Sequence, residues 1–286
     1  MTKERQSAGL IGRLRAAGIV PRRSLGQNFL HDPRLLASLV EEAGVSGEDT
    51  VFEVGTGPGT LTGAIADRVG RVLSVEIDSR LVDFARRELS GRQNVEILQG
   101  DVLAGKSRLA PAVEERLRAL GPVTWIANLP YSIATPVILA FLEAGLAWRR
   151  CVLTVQLEVA ERLASEPGGR SYGASSALLR FWASARLVRR IGPGTFWPRP
   201  RVDSAVVRLD PRQPPEDSRR FAGYRAWVKY LFARRRKQLG GLLRQRLGRP
   251  AAERALELGG WGGTRRPESL EVTDFLLLAE NFPLSS

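Results

Sequence analysis

The chain of 286 residues has very little sulfur or imidazole chemistry: it contains one cysteine, Cys151, and one histidine, His31. A single cysteine cannot form an internal disulfide and is typical of a reducing compartment. The same scarcity excludes a zinc site built from His and Cys, a Cys–His nucleophile pair and a redox site with several histidines. A Ser-His-Asp triad would need His31, which no nucleophile-elbow sequence surrounds, so we interpret it as structural. The chemistry must therefore use carboxylates, amides, aromatic rings and backbone, or a bound cofactor.

Long apolar runs are also missing. No stretch of 18 consecutive apolar residues occurs, so no membrane-spanning helix is predicted. The first 30 residues have no apolar core of a secretory signal, although their arginines leave a transit peptide open. Hydrophobic residues make up 43% of the chain and charged residues 26%, which is the balance of a globular protein with a real core. We expect a soluble, cytoplasmic protein without a membrane segment or a metal ion, and a monomer.

Positive charge is placed unevenly along the chain. Residues 1–31 carry a net charge of +5 and residues 211–286 carry +7, whereas residues 32–210 carry +1. Arginine, which outnumbers lysine 39 to four, binds phosphates through its planar fork. An arginine-rich proteome would explain this choice of residue, but it would not explain the segregation. We therefore predict a polyanionic partner. The candidate RNA-binding residues are Arg22, Arg23, Arg234, Arg235, Arg236 and Lys237.

Short apolar strands alternate with helical patterns between residues 35 and 164. This alternation predicts a parallel sheet with helices on both faces. Ligands of such sheets bind at the carboxyl ends of the strands. The predicted strands are Val51–Val54, Val72–Val75, Val95–Leu98, Val123–Ala127 and Cys151–Val155.

Composition divides the chain into three parts. Residues 1–23 are predicted to be a basic tail or loose helix, and residues 24–210 the α/β domain. The stretch Pro211–Ser218 has the composition of a linker. The residues after it have basic helical patterns, over 219–247 and again near the C-terminus, without strand patterns. We therefore predict that residues 211–286 form a small helical RNA-binding domain.

A glycine-rich loop, Glu53-Val-Gly-Thr-Gly-Pro-Gly59, follows the first predicted strand. Gly55 and Gly57 allow a tight turn and a close approach of a ligand to the backbone. Glu76 ends the next strand, where a carboxylate can accept hydrogen bonds from ribose hydroxyls, and this alone leaves NAD open. However, the third glycine comes one residue earlier than in the dehydrogenase fingerprint, and the acidic Glu53 suits a cationic ligand. With Asp101 placed to accept from an adenine amino group, the set favours S-adenosylmethionine.

The sequence Asn128-Leu129-Pro130-Tyr131 follows the fourth predicted strand. The exocyclic amine of adenine is a poor nucleophile because its lone pair is delocalised into the ring. The Asn128 side-chain oxygen and the Leu129 or Pro130 carbonyl can accept its two N–H bonds and align the lone pair with a methyl donor. Tyr131 can stack on a base that has left its helix. We therefore predict methyl transfer to an adenine amine, with no metal and no strong base.

Together these blocks resemble the ribosomal RNA adenine N6-dimethyltransferases. The resemblance covers residues 24–209, and it depends on the order and combination of the blocks. The matching blocks are Ser24–Leu30, Glu53–Gly59, Val75–Asp78, Gly100-Asp101, Asn128–Tyr131, Phe196–Val207 and, more loosely, Arg234–Leu239.

The resemblance implies a Rossmann-like class I methyltransferase sheet with a small C-terminal all-helical domain. It implies transfer of methyl groups from S-adenosylmethionine to N6 of two adjacent adenines near the 3′ end of 16S ribosomal RNA, during maturation of the small subunit. It also implies that Phe196 and Tyr131 sandwich the target adenine. The cofactor residues that it implies, together with those from the loop analysis, are Gln27, Asn28, Leu30, Glu53, Gly55, Gly57, Glu76, Asp101 and Asn128.

Three rival functions remain. A relative that methylates large-subunit RNA more often has isoleucine in place of Leu129, which favours the small-subunit type. A non-catalytic assembly or transcription factor would keep the fold and bind nucleic acid only, but the set of Asn128, Tyr131 and Phe196 is intact. An NAD dehydrogenase is disfavoured by the glycine spacing and by the lack of a histidine for hydride chemistry.

Overall fold

A computed structural model describes residues 3–105, 107–212 and 219–284. They form two compact units. The first contains the described residues of Met1–Ala160 and Arg186–Asp210, and the second contains those of Glu161–Ala185 and Pro211–Ser286. Most of the predicted linker, residues 213–218, lies outside the described residues. In the described part of the chain, no helix is both long and apolar enough to cross a membrane.

The first unit is built on a seven-stranded sheet with the strand order β4-β3-β2-β5-β6-β9-β7. Its strands are β2 (Thr50–Val54), β3 (Arg71–Glu76), β4 (Val95–Gln99), β5 (Val123–Asn128), β6 (Trp148–Gln156), β7 (Ala183–Ile191) and β9 (Ser204–Pro211). A separate two-stranded sheet pairs β1 (Phe29–Leu30) with β8 (Phe196–Trp197) in antiparallel orientation. The helices that begin before residue 160 are α1 (Lys3–Ala16), α2 (Pro33–Ala43), α3 (Thr60–Ala66), α4 (Ser79–Glu88), α5 (Pro111–Leu120), α6 (Ala134–Glu143) and α7 (Leu157–Leu163).

The predicted Rossmann-like α/β sheet is confirmed. The five strands β4, β3, β2, β5 and β6 run parallel to their neighbours, as their apolar, β-branched sequences predict. Chain order reverses between β2 and β5, and ligands of doubly wound sheets bind at such a switch point. The sequence did not indicate that β9 joins the sheet antiparallel to β6, so the sheet is mixed.

Helices cover both faces of the sheet because successive side chains of a strand point to opposite sides. Val51 and Ile126 pack with apolar side chains of α2 and α3 on one face. Phe52 and Trp125 point to the other face, where they meet Phe141 of α6 with ring centroids 6.0 and 4.7 Å away. These two apolar layers hold β2 and β5 side by side beneath the candidate site.

Of the two alternatives predicted for residues 1–23, a basic tail or a loose helix, the structure has a helix over Lys3–Ala16, and this helix is packed. Leu14 of α1 is completely buried, and it belongs to an apolar cluster with Ile19, Phe29, Leu81 and Phe84. The basic residues of the segment drew attention away from Leu10 and Leu14, which are four residues apart and so lie on one face of the helix. In the described residues the segment is part of the first unit.

The described helices of the second unit are α8 (Ala174–Trp182), α9 (Arg219–Phe232), α10 (Leu239–Leu247), α11 (Arg249–Leu258) and α12 (Val272–Asn281). The predicted boundary at residue 210 misses α8, which belongs to this unit. The Tyr224 hydroxyl of α9 donates to the Ala177 carbonyl at 2.6 Å, and Phe181 packs on Phe221. Burial of these aromatic rings explains why α8 packs with the helices of the second unit.

The segment Arg234–Lys237 is a turn, which corrects the predicted continuous helix over residues 219–247. Backbone amides of Arg234 and Lys237 donate to carbonyls three residues earlier, as in tight turns. The amide of Leu239 instead donates to the Arg265 carbonyl at 2.7 Å, which starts α10 in a new direction. The basic run therefore lies between two helices.

Candidate active site

The glycine-rich loop between β2 and α3 forms one wall of a cleft at the carboxyl ends of β2, β3, β4 and β5. Gly55 and Gly57 both have positive φ, +84° and +54°, which side chains other than glycine rarely adopt. A Cβ on Gly55 would lie 3.6 Å from Cδ of Pro130, and one on Gly57 would lie 3.3 Å from Cδ1 of Phe29. Glycine is therefore favoured at both positions by the backbone path, and at Gly57 also by the close approach of Phe29.

Glu76 ends β3 and lines the cleft. One carboxylate oxygen accepts from the Gly57 amide and the other from the Asp78 amide, both at 2.9 Å. Burial raises the pKa of Glu76, and these two hydrogen bonds oppose the rise. Each oxygen retains a lone pair that can accept from a ligand hydroxyl. The hydrogen bond from the Gly57 amide also links the glycine loop to the end of β3.

Glu53 is placed differently from the other predicted cofactor residues, because its side chain is fully buried beneath the loop. Its Oε2 accepts from the hydroxyls of Thr62 and Ser74 at 2.6 and 2.7 Å. No described residue donates to its Oε1. Burial raises the pKa of Glu53 to about 8. The structure therefore gives Glu53 a supporting position under the loop, away from the cleft surface.

The far wall of the cleft combines one carboxylate with apolar side chains. Asp101 lines it and accepts from the Leu103 amide through Oδ1 at 2.9 Å. Ile77 lies between Glu76 and Asp78 and is 48% exposed, and Val102 also lines the cleft. An exposed isoleucine directly after a strand-end carboxylate is a signal that our reading of the sequence missed. This wall suits a flat apolar ring with an amino edge.

The segment before α2 closes the cleft from a third side. Gln27 accepts from the Arg22 amide at 2.7 Å and donates to Asp78 Oδ2 at 3.2 Å, and the second bond anchors the segment to the start of α4. Ion pairing with Arg80 lowers the pKa of Asp78 to about 2, so this anchor is ionised at neutral pH. Asn28 lines the cleft and donates to the Gly26 carbonyl at 3.1 Å.

Side chains at the next two positions point in opposite directions. Phe29 lines the cleft beside Gly57, although the sequence analysis did not single it out. The Leu30 side chain is buried in the core under α2, and its carbonyl accepts from the Thr60 hydroxyl at 2.9 Å. Strand alternation explains the difference, so only the backbone of Leu30 remains a candidate for ligand contact.

The orientation of the Asn128 amide is fixed by its neighbour. Its Nδ2 donates to the Asn28 carbonyl at 2.9 Å, and a flipped amide would place two oxygens against each other. Its Oδ1 is buried, and none of the described residues donates to it. Since buried acceptors are nearly always satisfied, this oxygen is available for a ligand N–H in the cleft.

The loop after Asn128 is held by its own backbone. The Leu129 amide donates to the Thr154 carbonyl of β6 at 3.1 Å, and the Ile133 amide donates to the Pro130 carbonyl at 3.1 Å. The Pro130 carbonyl is therefore already engaged, which makes the Leu129 carbonyl the stronger candidate for a second ligand acceptor. Leu129 and Pro130 both line the cleft.

Tyr131 lines the cleft, but Phe196 does not face it. The Tyr131 hydroxyl shares a 2.6 Å hydrogen bond with the hydroxyl of Ser204, and burial raises the Tyr131 pKa. Phe196 is only 3% exposed, pairs with Leu30, and packs in the core beneath α2. The structure therefore does not place the Phe196 ring on the cleft wall beside Tyr131, and the sandwich of the two rings on the adenine stays a prediction.

The predicted RNA-binding residues differ in solvent exposure and in their contacts with neighbouring groups. Arg23, Arg236 and Lys237 are exposed. Arg22 approaches Asp78 at 3.9 Å. Two further residues, Arg234 and Arg235, are half-buried and contact their own unit. The Arg234 guanidinium lies 4.9 Å from the centre of the Tyr230 ring, and Arg235 donates to the Arg170 carbonyl at 3.0 Å and lies 3.4 Å from Glu268.

The site fits a nucleoside ligand. The glycine loop leaves room that a Cβ would fill, Glu76 and Asp101 supply acceptors, and Ile77 and Val102 supply an apolar wall. Within residues 3–105, 107–212 and 219–284, no three His, Cys, Asp or Glu side chains come together as metal ligands.

Comparison with known proteins gives one consistent result. The family described as ribosomal RNA adenine dimethylase matches residues 20–280. The ribosomal RNA small subunit methyltransferase A of Acidothermus cellulolyticus is 38% identical over 94% of this chain and 91% of its own. That of Levilactobacillus brevis is 36% identical over 99% and 98%.

Two solved structures are similar over most of their length. The 23S rRNA methyltransferase ErmE has a TM-score of 0.67 at 28% identity, covering 89% of this chain and 99% of its own. A dimethyladenosine transferase from Plasmodium falciparum has a TM-score of 0.71 at 24% identity, covering 89% and 97%. The second likeness supports the fold.

Proposed function

The chain belongs to the ribosomal RNA adenine dimethylase family, and from this we propose that it transfers methyl groups from S-adenosylmethionine to N6 of two adjacent adenines near the 3′ end of 16S ribosomal RNA. The family resemblance of the sequence blocks is thereby confirmed, and the chain is a ribosomal RNA adenine dimethyltransferase. Its substrate is the small ribosomal subunit during maturation, in the cytoplasm, and it acts as a monomer.

The Asn128 amide is the observation that carries the proposal. Its nitrogen is committed to the Asn28 carbonyl, and its oxygen is buried at the cleft with no donor among the described residues. An acceptor held in this way suits an N–H of an adenine amine. It would reject an oxygen at the same place, since two acceptors would face each other without a proton. The fixed amide therefore favours an amine over a carbonyl edge.

The cofactor would lie across the carboxyl ends of β2, β3 and β4. Glu76 would accept from the ribose hydroxyls, Asp101 would accept from the adenine amine, and Ile77 would pack on the adenine ring. Gly55, Gly57, Gln27, Asn28 and the Leu30 backbone shape the remaining walls, while Glu53 supports the loop from below. When bound, S-adenosylmethionine supplies an electrophilic methyl group on a sulfonium.

Residues of the loop after β5 then prepare the target amine. Asn128 Oδ1 and the Leu129 carbonyl accept its two N–H bonds, which favours a pyramidal nitrogen with its lone pair aimed at the methyl group. Tyr131 stacks on the base, an interaction worth about 1–3 kcal/mol. Alignment carries most of the rate, because an amine fixed in line needs no strong base. Because Tyr131 lines the cleft and Phe196 pairs with Leu30 in the β1–β8 ribbon, Tyr131 is the better supported stacking face of the two.

Large-subunit RNA is the alternative substrate, because the similar structure ErmE is a 23S rRNA methyltransferase. Identity favours the small subunit: it is 38% and 36% to the two small-subunit relatives and 28% to ErmE. Leu129 at the second position of the catalytic motif points the same way.

Methyl transfer from labelled S-adenosylmethionine to unmodified small subunits tests the proposal. Large subunits and free RNA serve as controls, and the products are separated as mono- and dimethyladenosine. We expect dimethyladenosine on small subunits alone. Transfer only to large-subunit RNA would contradict the target, and tight binding to small subunits without transfer would contradict the enzymatic role.

A further inference from the structure

The hydroxyl of Tyr131 meets a partner that lies outside the loop after β5. Ser204, the first residue of β9, is completely buried, and its Oγ lies 2.6 Å from the Tyr131 hydroxyl. This distance is at the short end for a hydrogen bond between hydroxyls, which indicates a well-formed contact. One side of the candidate adenine site is therefore tied to an antiparallel strand that carries none of the other site residues.

The sheet holds Ser204 rigidly. Ser204 is in register with Gln156 at the end of β6, and the Asp203 carbonyl before it accepts from the Leu157 amide at 3.0 Å. By contrast, the Tyr131 backbone belongs to a loop. The hydrogen bond therefore fixes the hydroxyl end of the Tyr131 side chain relative to the sheet.

The contact acts on the ring and leaves the loop backbone alone. The Leu129 amide and the Pro130 carbonyl already have backbone partners, so the loop keeps its path without Ser204. A bond to the para hydroxyl fixes the direction of the ring axis, which side-chain torsions would otherwise vary. The direction of that axis decides where a stacked base presents its amine relative to Asn128 Oδ1.

We propose that Ser204 is a positioning residue for the target adenine, holding the Tyr131 ring where a stacked base places its N6 at the Asn128 acceptor. This inference rests on the proposed function and adds a residue to it. Each transfer replaces one N6–H bond by N6–CH3, with the methyl group coming from the sulfonium and the proton leaving to water.

The second transfer should depend on Ser204 more than the first. Unmodified adenine offers two N–H bonds to Asn128 Oδ1 and the Leu129 carbonyl, whereas monomethylated adenine offers only one. With one hydrogen bond lost, stacking on Tyr131 must fix a larger share of the orientation. Loosening the ring therefore slows dimethylation more than monomethylation and leaves N6-monomethyladenine as an accumulated product.

Three variants isolate the contact: Ser204→Ala, Tyr131→Phe and the double variant. Each single change removes one hydroxyl of the same pair and keeps the stacking ring. We expect each to slow the second transfer about threefold to tenfold relative to the first, as for loss of one hydrogen bond. The double variant should be no slower than either single variant. Ser204→Thr keeps a hydroxyl and should restore the wild-type product ratio.

Ser176→Ala is the matched control, since Ser176 is equally buried and its hydroxyl donates to the Arg162 carbonyl within the second unit. It should lower thermal stability without changing the ratio of mono- to dimethyladenosine. If Ser204→Ala does not fold, Tyr131→Phe alone decides, because it leaves the sheet intact.

The outcomes separate this inference from the proposed function. Wild-type transfer with unchanged product ratios in Ser204→Ala and Tyr131→Phe would overturn the role of Ser204 alone. Additive effects in the double variant would overturn it as well. If the wild-type protein transfers no methyl group to adenine in small subunits, the proposed function fails and this inference fails with it.

Discussion

At the scale of single residues, the most informative group is the Asn128 amide, whose two ends have different tasks. Nδ2 holds the Asn28 backbone, and Oδ1 stays available in the cleft. We predict that Asn128→Ala lowers methyl transfer at least about a hundredfold, because the amine loses the acceptor that orients it. RNA binding should stay nearly unchanged, since the basic residues are untouched. Single-turnover rates and filter binding to small subunits measure the two effects separately.

Asn94→Ala is the control for the loss of a half-buried amide. Asn94 donates to the carbonyls of Ala66 and Val69, and it does not line the cleft. It should reduce stability and leave the rate per folded molecule unchanged. Loss of RNA binding in Asn128→Ala, with transfer intact on the RNA still bound, would refute the alignment mechanism.

Glu53 gives the folded protein a defined dependence on pH. Burial raises its pKa from 4.5 to about 8, so the folded state holds a proton that the unfolded chain releases near pH 4.5. The folded state thus binds more protons between these values, and the free energy of unfolding falls as pH rises through that window. We predict that Glu53→Gln, which cannot ionise, gains stability relative to wild type from pH 5 to pH 8. Thermal unfolding at half-unit pH steps measures this.

Glu96→Gln should show the opposite sign. Ion pairs with Arg116 and Arg71 lower the pKa of Glu96, so its carboxylate stabilises the fold above the usual glutamate range and loses this effect as pH falls. The loss of unfolding free energy caused by Glu96→Gln should therefore become smaller at acidic pH.

For Glu53, parallel curves of unfolding free energy against pH for wild type and Glu53→Gln would mean that Glu53 stays ionised in the fold.

At the scale of elements, the sequence predicted the strands that share a repeated apolar pattern and missed the short elements that have no such pattern. The strands β2, β3 and β5 are apolar runs with a functional residue at or just after their ends, and position in a parallel sheet then brings Gly55, Glu76 and Asn128 together. The two-residue β1 strand has no period to detect, so nothing predicted that Phe29 would face the cleft while Leu30 faces the core. The burial of Phe196 in the other strand of this two-residue pair was missed for the same reason.

Charge also concealed the packing of α1, whose basic residues suggested a tail or a loose helix. Leu14 is completely buried against Leu81 and Phe84. We predict that Leu14→Ala lowers the free energy of unfolding by about 2–5 kcal/mol, as for other buried leucines. Urea denaturation measures the loss. The neighbouring exposed residue is the control, and Arg15→Ala should change stability by no more than about 0.5 kcal/mol. Equal, small effects of both variants would mean that α1 does not contribute to the folded core.

At the scale of the whole molecule, the net charge of +13 attracts a polyanion mainly through basic side chains that do not face a carboxylate of the same protein. Many basic side chains of the first unit face a carboxylate, such as Arg116 with Glu96 and Arg150 with Asp210. Such pairs contribute little net charge toward a distant polyanion. Charge at the turn after α9 is less compensated, which makes this turn the stronger candidate for phosphate contacts.

Within that turn the structure distinguishes residues that the sequence treats alike. Arg236 and Lys237 are exposed, whereas Arg235 is bonded to the Arg170 carbonyl. We predict that Arg236→Gln with Lys237→Gln weakens binding to small subunits. The negative slope of log K against log salt should become less steep by about 1 to 2, as for the loss of two phosphate contacts. Arg235→Gln should mainly lower stability. Binding isotherms between 50 and about 200 mM salt measure the slope.

Removing the same charge elsewhere separates local contact from net charge. Arg87 and Arg118 are exposed in the first unit, and Arg118 pairs with Glu114. If the turn touches phosphates, Arg87→Gln with Arg118→Gln leaves the slope nearly unchanged, because ions are released only where the RNA is contacted. An equal fall in slope for both double variants would mean that long-range attraction by total charge replaces a defined contact, and Arg236 and Lys237 would then lose their assignment.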